Sequence, residues 1–568
     1  MATLIGVFIS SIALIIRAHA LPSSTAAASQ SATAPPRRVV VNAGQASFGP
    51  WEGWGVSLSW WANIWGITEP SLAAAIFSYS LSVTVSGITA PALGLTTARY
   101  NAGGSSNTPA ATDGSRMVAS PNIPVWKQIE TFWVDLTPTP SSWDWTRDAR
   151  QVAMLQGAAR AGAERFELFS NSPPWWMLAN HNPSGSNDGS SDNLLPEHYR
   201  NHSKYLATIA AHARDVWGIN FTSVELFNEP VADWWKANGT QEGCHFDAAS
   251  QAAALATLPA ALTEAGFTVG SLANNIRIAA SDESRIDMAA STWAAWKDAT
   301  RATLQQFNVH GYQIGGDCGG LYQSVVVEGG KVLHDTEYGD GDATGGLMAQ
   351  SILADWSTLH PSAWHYWQII DVTAGWGLRE GDATTGVLGA LNTKWYVLAQ
   401  FARHIRMGAE ILHVTTTTDT AGGKGIGGGI AAAVLDAARD NTLTLVLQNY
   451  GASNNTLVDI DLTAFAIVPA GTGGAIAAWI TSTKTAKPTP NQSYTPFENV
   501  TVGTDQIVRI NMPVRQEELL HHVRPRQRRE RLEQPLSRQR ESLHDLLLLV
   551  VPLPLELVAV EQRRWAQQ

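Results

Sequence analysis

The order of hydrophobic patterns along the chain predicts an α/β fold, a (β/α)8 TIM barrel with an accessory β-sandwich domain. Three observations lead there. From about Val39 to Gly408, short apolar or aromatic runs alternate with stretches of helical spacing, as parallel β/α units require. The runs number eight, which is the count that closes such a barrel. Beyond Gly408, alternating stretches such as Thr442–Gln448 and Gln506–Ile510 are separated by Gly, Asn and Pro, as in antiparallel sandwiches.

The expected barrel strands are Gly53–Trp60, Thr96–Asn101, Arg165–Asn171, Ser223–Glu229, Arg277–Ser284, Phe307–Gln313, Val332–Tyr338 and Ser362–Ile370. Between them Glu197–Val216 has helical spacing with a proline at its start, and Asn392–Arg406 reads as the last helix. A length of 568 residues suits a large barrel plus a smaller domain. The expected division is a signal peptide at 1–20, a Ser/Thr/Ala/Pro-rich stem at 21–38, the barrel at 39–408 and the sandwich at 409–514. The first residues of the barrel segment are expected to pair with the sandwich.

Leu4–Ile16 is a short uncharged apolar run, and Ala18-His19-Ala20 follows the small-x-small pattern of a signal-peptidase site. Sequons beginning at Asn201, Asn220, Asn238, Asn454, Asn491 and Asn499 fit a secretory route. An extracellular glycoprotein is therefore expected. In that compartment Cys244 and Cys318, the only two cysteines, are expected to form a disulfide. The Gly-rich run Gly422–Gly429 reads as a hairpin loop, because Lys424 is not followed by Ser or Thr. Residues 515–568 contain none of the chain's 48 glycines and are rich in Arg and Leu. That tail is expected to be a disordered appendage whose removal leaves activity intact, its apolar run being broken by Pro552, Pro554 and Glu556.

A formal net charge of −11 argues against nucleic acid or an anionic membrane as the main partner. A neutral polymer suits such a surface, and 23 tryptophans offer indole faces of the kind that stack on sugar rings, although most must be core. No cofactor is expected. No metal is expected either: two cysteines with His245 lack zinc spacing, and His198, His202 and His212 read as an exposed polar helix face. No stable membrane insertion is expected, and the chain is taken to be a monomer.

Among 49 acidic residues, position selects the candidates. In a β/α barrel the chemistry sits where strands end at the C-terminal face. Glu229 ends the run Val224-Glu225-Leu226-Phe227-Asn228 and precedes Pro230, while Glu337 ends Val332-Leu333-His334-Asp335-Thr336. Two carboxyls facing one another across a barrel mouth are what glycosidic bond hydrolysis needs. Glu225 and Asp335 alternate with apolar neighbours and read as structural salt-bridge residues. Asp282 and Glu283 end the fifth strand, and either could line the cleft.

Phe227-Asn228-Glu229-Pro230 is similar to the fourth-strand motif of a large clan of retaining barrel glycosidases. Within that clan the chain resembles glycoside hydrolase family 30, most closely its fungal endo-β-1,6-galactanases. The resemblance is carried from about residue 40 to 514, in order, by Gly53-Trp54-Gly55-Val56-Ser57-Leu58-Ser59-Trp60-Trp61-Ala62, Ala98-Arg99-Tyr100-Asn101-Ala102-Gly103-Gly104, Ser170-Asn171-Ser172-Pro173-Pro174-Trp175-Trp176-Met177, Gln241-Glu242-Gly243-Cys244-His245-Phe246 and Glu337-Tyr338-Gly339-Asp340-Gly341-Asp342. It implies Glu229 as acid/base, Glu337 as nucleophile, Asn228 on the sugar 2-hydroxyl, Arg99 lowering the pKa of Glu337, and Tyr312 bonded to the same carboxylate. Trp60, Trp175 and Trp367 are candidate sugar contacts. The implied substrate is the galactan side chains of arabinogalactan proteins. The same chemistry on β-1,6-glucan, glucuronoxylan or glucosylceramide, or an inactive carbohydrate-binding protein, stands as the alternative. One departure is His334-Asp335-Thr336, where the resemblance leads one to expect a Trp and a Ser.

Overall fold

The computed structural model describes residues 37–41, 49–412 apart from 138, 272 and 314–316, and the segments 414–416, 430–436, 442–450, 456–465, 475–482, 494–501, 504–512 and 544–552. The signal peptide, the stem up to residue 36, Gly422–Gly429, Asn454, Asn491 and the rest of the tail lie outside the described residues.

After an N-terminal strand β1 (Arg37–Val41), eight parallel strands close a barrel: β2 (Gly53–Ser57), β3 (Thr97–Asn101), β4 (Arg165–Phe169), β5 (Ser223–Glu225), β6 (Arg277–Glu283), β7 (Gln306–His310), β8 (Val332–Tyr338) and β9 (Ala363–Tyr366). Neighbours pair in sequence order, and β9 returns to β2 to complete the ring. Helices such as Ala149–Ala161, Tyr199–His212 and Thr393–His404 flank it, as βαβ connections demand. The Trp54 ring lies 4.8 Å from Trp51, 5.5 Å from Trp356 and 5.7 Å from Phe401, so β2 is nailed to the surrounding helices by indole packing. Each such aromatic pair contributes roughly 0.5–1.5 kcal/mol beyond area burial.

The barrel interior is polar toward its N-terminal end. Glu52 pairs with Arg165 and Arg277 at 2.7 Å and with His334 at 3.0 Å. Burial alone would raise its carboxyl, but the bonds from His334 and Arg277 hold it well below the usual carboxylate range. His334 also reaches Glu167. His334, which departs from the expected pattern, is thus a buried link between Glu52 and Glu167.

Most expected strands are shorter than their apolar runs: β2 ends at Ser57, β4 at Phe169 and β9 at Tyr366, short of the expected Trp60, Asn171 and Ile370. β5 stops at Glu225 instead of Glu229, because Glu229 adopts φ 49° and gives its N–H to the Asp282 carbonyl at 2.8 Å, with Pro230 following. β7 stops at His310 rather than Gln313.

Past the barrel, two sheets form. β11 (Val414–Thr416), β1, β14 (Thr456–Asp461) and β17 (Ile507–Met512) make one in that order. The other orders β10 (Glu410–Leu412), β12 (Ile430–Asp436), β13 (Thr442–Tyr450), β18 (His544–Pro552), β15 (Ala475–Ser482) and β16 (Thr495–Thr501). β1 pairs antiparallel with β11 and parallel with β14. Gln448 donates to the Gly346 carbonyl at 2.7 Å and ties the second sheet to a barrel helix.

The tail expectation is corrected at β18. His544–Pro552 lies inside the second sheet, antiparallel to β13 and to β15. The run Leu546–Val551 is six apolar residues without a proline, enough for a central strand, whereas the prolines begin only where the strand ends.

The cysteine expectation is corrected too. Cys244 and Cys318 are both buried thiols rather than a disulfide. Cys244 sits beside the His245 carbonyl and the 192–194 segment, whereas Cys318 starts the helix Cys318–Tyr322 near Thr358 and Asp355. Different loops hold the two, and burial pushes both thiols up, the Cys244 thiol beyond any physiological range.

Nor is the histidine helix face exposed and polar. His202 is fully buried with its ring at 3.0 Å from the Leu226 carbonyl, and His212 stacks on Trp145 at 3.6 Å. Among the described sequon side chains, Asn220 and Asn238 are exposed, while Asn201 is half-buried and bonded to His198.

Candidate active site

Glu229 and Glu337 project from the C-terminal ends of the fourth and seventh barrel strands, and each has a carboxylate oxygen within 4.8 Å of the other's. Both are buried at the bottom of the barrel mouth. β8 carries Glu337 in regular strand conformation, whereas the left-handed turn at Glu229 re-aims the fourth strand's end toward it. Backbone held at positive φ in a non-glycine residue is a mark of sites where position outweighs local comfort.

Arg99, from β3, is the hub. Its Nη1 donates to Glu337 Oε2 at 2.8 Å, and its Nη2 donates to Asn228 Oδ1 at 3.1 Å and to Asp282. The guanidinium plane lies 3.5 Å from the Phe169 ring, which fills the side that water would otherwise occupy. Tyr312 donates its hydroxyl to Glu337 Oε1 at 2.8 Å.

His310 completes the cluster. Its Nδ1 is 3.2 Å from Glu229 Oε1 and 3.6 Å from Glu337 Oε1, and its Nε2 is 3.3 Å from Asp282 Oδ1. Burial alone would favour the neutral ring, but Glu337 and Asp282 hold the imidazolium well above the usual histidine range. Asp282 is held down to about 2 against burial by Arg99 and His310, and Thr336 adds a hydroxyl bond. Glu229, His310 and Glu337 have the spacing of a cation-binding trio. Arg99, paired with Glu337, already places a positive charge beside these carboxylates.

For Glu337 the balance differs from the simple expectation. Burial pushes its carboxyl above the ordinary value, and His310 and then Arg99 pull it back. Arg99 acts in the expected direction but is outweighed by desolvation, and His310 is the larger counterweight.

Other expectations are revised by burial. Trp175 is wholly enclosed, so it supports a loop and offers no face to a sugar. Trp60 is 2% exposed, flanked edge-on by Trp367 at 5.0 Å, with the Lys127 ammonium 4.2 Å over its ring. Trp367, 8% exposed, keeps some accessible surface. Glu225 and Asp335 form no salt bridge among the described residues. Glu225 accepts from Asn308 at 3.0 Å, Asp335 faces Asp355, and burial drives both carboxyls well above their ordinary value. Glu283 is fully buried rather than cleft-lining, accepting from Val231 N–H, Gln251 and Thr292 behind the Glu229 loop.

His310 escaped the sequence reading, which left Asp282 and Glu283 as equal candidates for the cleft. A signal for His310 was present: side chains two apart at a strand end share a side, and Tyr312 lies two beyond His310.

A closed β/α barrel with two carboxyls this close at the ends of strands four and seven defines a glycoside hydrolase. The family model described as O-glycosyl hydrolase family 30 matches residues 41–301. An endo-beta-1,6-galactanase from Hypocrea rufa is 46% identical over 440 residues, covering 77% of this chain and 86% of that protein. The chain belongs to glycoside hydrolase family 30. A more distant relative, an exo-beta-1,6-galactobiohydrolase from Bifidobacterium longum, is 22% identical over 420 residues, 57% of this chain and 27% of that protein. In fold, the chain is similar to the catalytic domain of GH30 xylanase C from Talaromyces cellulolyticus, with TM-score 0.58 and 16% identity over 90% of this chain and 99% of that one. No helix among the described residues is long and apolar enough to cross a membrane.

Proposed function

We propose that the chain is a secreted, retaining endo-β-1,6-galactanase acting on galactan side chains of arabinogalactan proteins, with Glu337 as nucleophile and Glu229 as acid/base. The observation that carries the mechanism is the approach of the two carboxylates to within 4.8 Å. Retaining enzymes hold these groups about 5–5.5 Å apart, whereas inverting enzymes need about 6.5–9.5 Å to admit a water. The galactan substrate is supported by the 46% identity to the Hypocrea rufa enzyme.

In the first step a Glu337 oxygen attacks the anomeric carbon while Glu229 gives its proton to the departing glycosidic oxygen. The C–O bond to the leaving sugar breaks, and a glycosyl ester on Glu337 forms. Arg99 and Tyr312 grip both oxygens of Glu337 and fix its attack line. With Asn228 Oδ1 held by Arg99, its Nδ2 is the group that donates to the 2-hydroxyl as positive charge grows on the ring. In the second step Glu229 takes a proton from water, which attacks the same carbon and frees Glu337. Two inversions leave the β configuration unchanged.

The test is incubation with a panel of β-1,6-galactan, β-1,6-glucan and glucuronoxylan, with product sizing. Internal cleavage of the galactan alone is the expected result, and cleavage of another member in its place would overturn the substrate assignment.

A further inference from the structure

Beyond the reaction centre, on the nucleophile side, lies an aromatic cluster that the mechanism does not use. Gly339, two residues after Glu337, is pressed between Trp376 and Trp367; a Cβ there would sit 3.1 Å from one and 3.2 Å from the other. Trp367 meets Trp60, and Trp60 meets Trp126 edge-on at 6.4 Å. Trp126 in turn walls a cavity of about 330 Å³ with Val372, Gly381, Asp382, Ala383 and Thr384. That volume falls at the low end of small-ligand sites, roughly 300–1,000 Å³.

The walls are built before any ligand arrives. Asn63 donates to the Trp126 carbonyl at 2.9 Å. The 381–384 turn is closed by Asp382, which accepts from Thr384 N–H at 2.8 Å and from Thr385 N–H at 3.2 Å. Trp65 donates to the Gly386 carbonyl at 2.7 Å and anchors that turn from below. Lys127 holds its ammonium 5.3 Å over the Trp126 ring, and among the described residues that ammonium has no hydrogen-bond partner. A half-buried indole, an ammonium without acceptors and a preformed turn with a threonine hydroxyl form a surface that is flat and apolar with polar edges. A pyranose ring has the matching shape, with C–H faces and hydroxyl rims.

We propose that Trp126, with Lys127, Trp376 and the 381–384 turn, forms a further sugar position that takes a neutral galactosyl unit on the part of the substrate that stays attached to Glu337. This rests on the galactanase reading and names where its second sugar sits. Three observations set the choice. The cavity is joined to the nucleophile's strand end by the run of contacts from Gly339 through Trp367 and Trp60 to Trp126. Asp382 lines it and Asp371 lies near Lys127, so the Lys127 charge is balanced and an acidic sugar is disfavoured. Finally, the indole offers stacking area that a backbone-only site would lack.

The experiment compares wild type, Trp126→Ala, Trp126→Phe and the remote surface variant Val327→Ser on β-1,6-galactotetraose labelled at its reducing end. Wild type and Val327→Ser should give one dominant labelled fragment. Trp126→Ala should raise KM about tenfold, the equivalent of one good aromatic contact, and spread cleavage over neighbouring bonds. Trp126→Phe should fall between, and it serves if the alanine variant fails to fold. An unchanged cleavage position and KM in a folded Trp126→Ala or Trp126→Phe would overturn the proposal. If wild type leaves galactan intact but cuts another glycan of the panel, the substrate reading fails alone. The same comparison on that glycan then decides whether the cavity binds sugar, a loss confined to Trp126 variants supporting a sugar position and no loss overturning it.

Discussion

At the residue scale, the dyad predicts a divided phenotype. Glu229→Gln should lower turnover on polymer by about two to four orders of magnitude, the usual range for a lost general acid. Substrates with activated leaving groups should keep their first step, because they need no protonation. Steady-state rates on galactan and on an aryl glycoside, compared with the burst of released phenol, check this. Wild-type polymer turnover would remove Glu229 from the acid/base role. The thiols give a second prediction: labelling of native protein should be slow at both Cys244 and Cys318, and denaturation without reductant should reveal two reactive thiols by mass spectrometry. The placement of both glutamates at the barrel mouth could be read from sequence because each ends an apolar run at the face where strand ends converge. The tryptophans could not be read so well. Trp175 and Trp126 are the same side chain in sequence, and only tertiary enclosure separates a loop prop from an accessible face. His310 was hidden for a related reason, since its three carboxylate neighbours come from three other strand ends that only barrel closure brings together.

At the scale of elements, all eight barrel strands were visible in the alternation of apolar runs, and their ends were the part misjudged. An apolar run records what is buried, not where ladder bonding stops, so Leu226 to Asn228 continued the pattern after β5 had ended. The tail was misjudged differently: its composition concealed six residues that make good strand. β18 sits between β13 and β15, and removing it leaves two separate strand groups, each with a new unpaired edge. A chain ended after residue 543 should therefore melt at lower temperature and aggregate more readily than the full chain. Differential scanning calorimetry with light scattering tests this, and identical behaviour would return the tail to the status of an appendage.

For the whole molecule, buried carboxyls set the response to pH. Burial pushes Asp148 and Glu242 up to about 8, and Asp355 and Glu283 up to about 7. In the unfolded chain these groups are ionised above pH ~4, so between there and their folded values the native state binds the extra protons and stability falls as pH rises. His310, raised in the fold, adds a loss of the same sign above pH ~6.5. His202 and His365, pushed down to about 4 by burial, oppose the trend only between there and pH ~6.5. The melting temperature should thus decline steadily from pH ~6.5 to ~8; a flat or rising profile in that window would mean the carboxyls are ionised in the fold. Stereochemistry is likewise a property of the assembled barrel, because it depends on strands four and seven holding their spacing. Proton NMR of the newborn reducing end should show the β-anomer first, and initial α-anomer would remove the glycosyl-enzyme route. The position of β1 has one more consequence. This strand leaves the ribosome before any of the barrel, yet both of its partners, Val414–Thr416 and Thr456–Asp461, are translated after the last barrel helix. For the whole of barrel synthesis Arg37–Val41 is a strand waiting for its neighbours. Nascent chains stalled before codon 414 should expose that segment to chaperones, and release of such chaperones should coincide with completion of the C-terminal sheets.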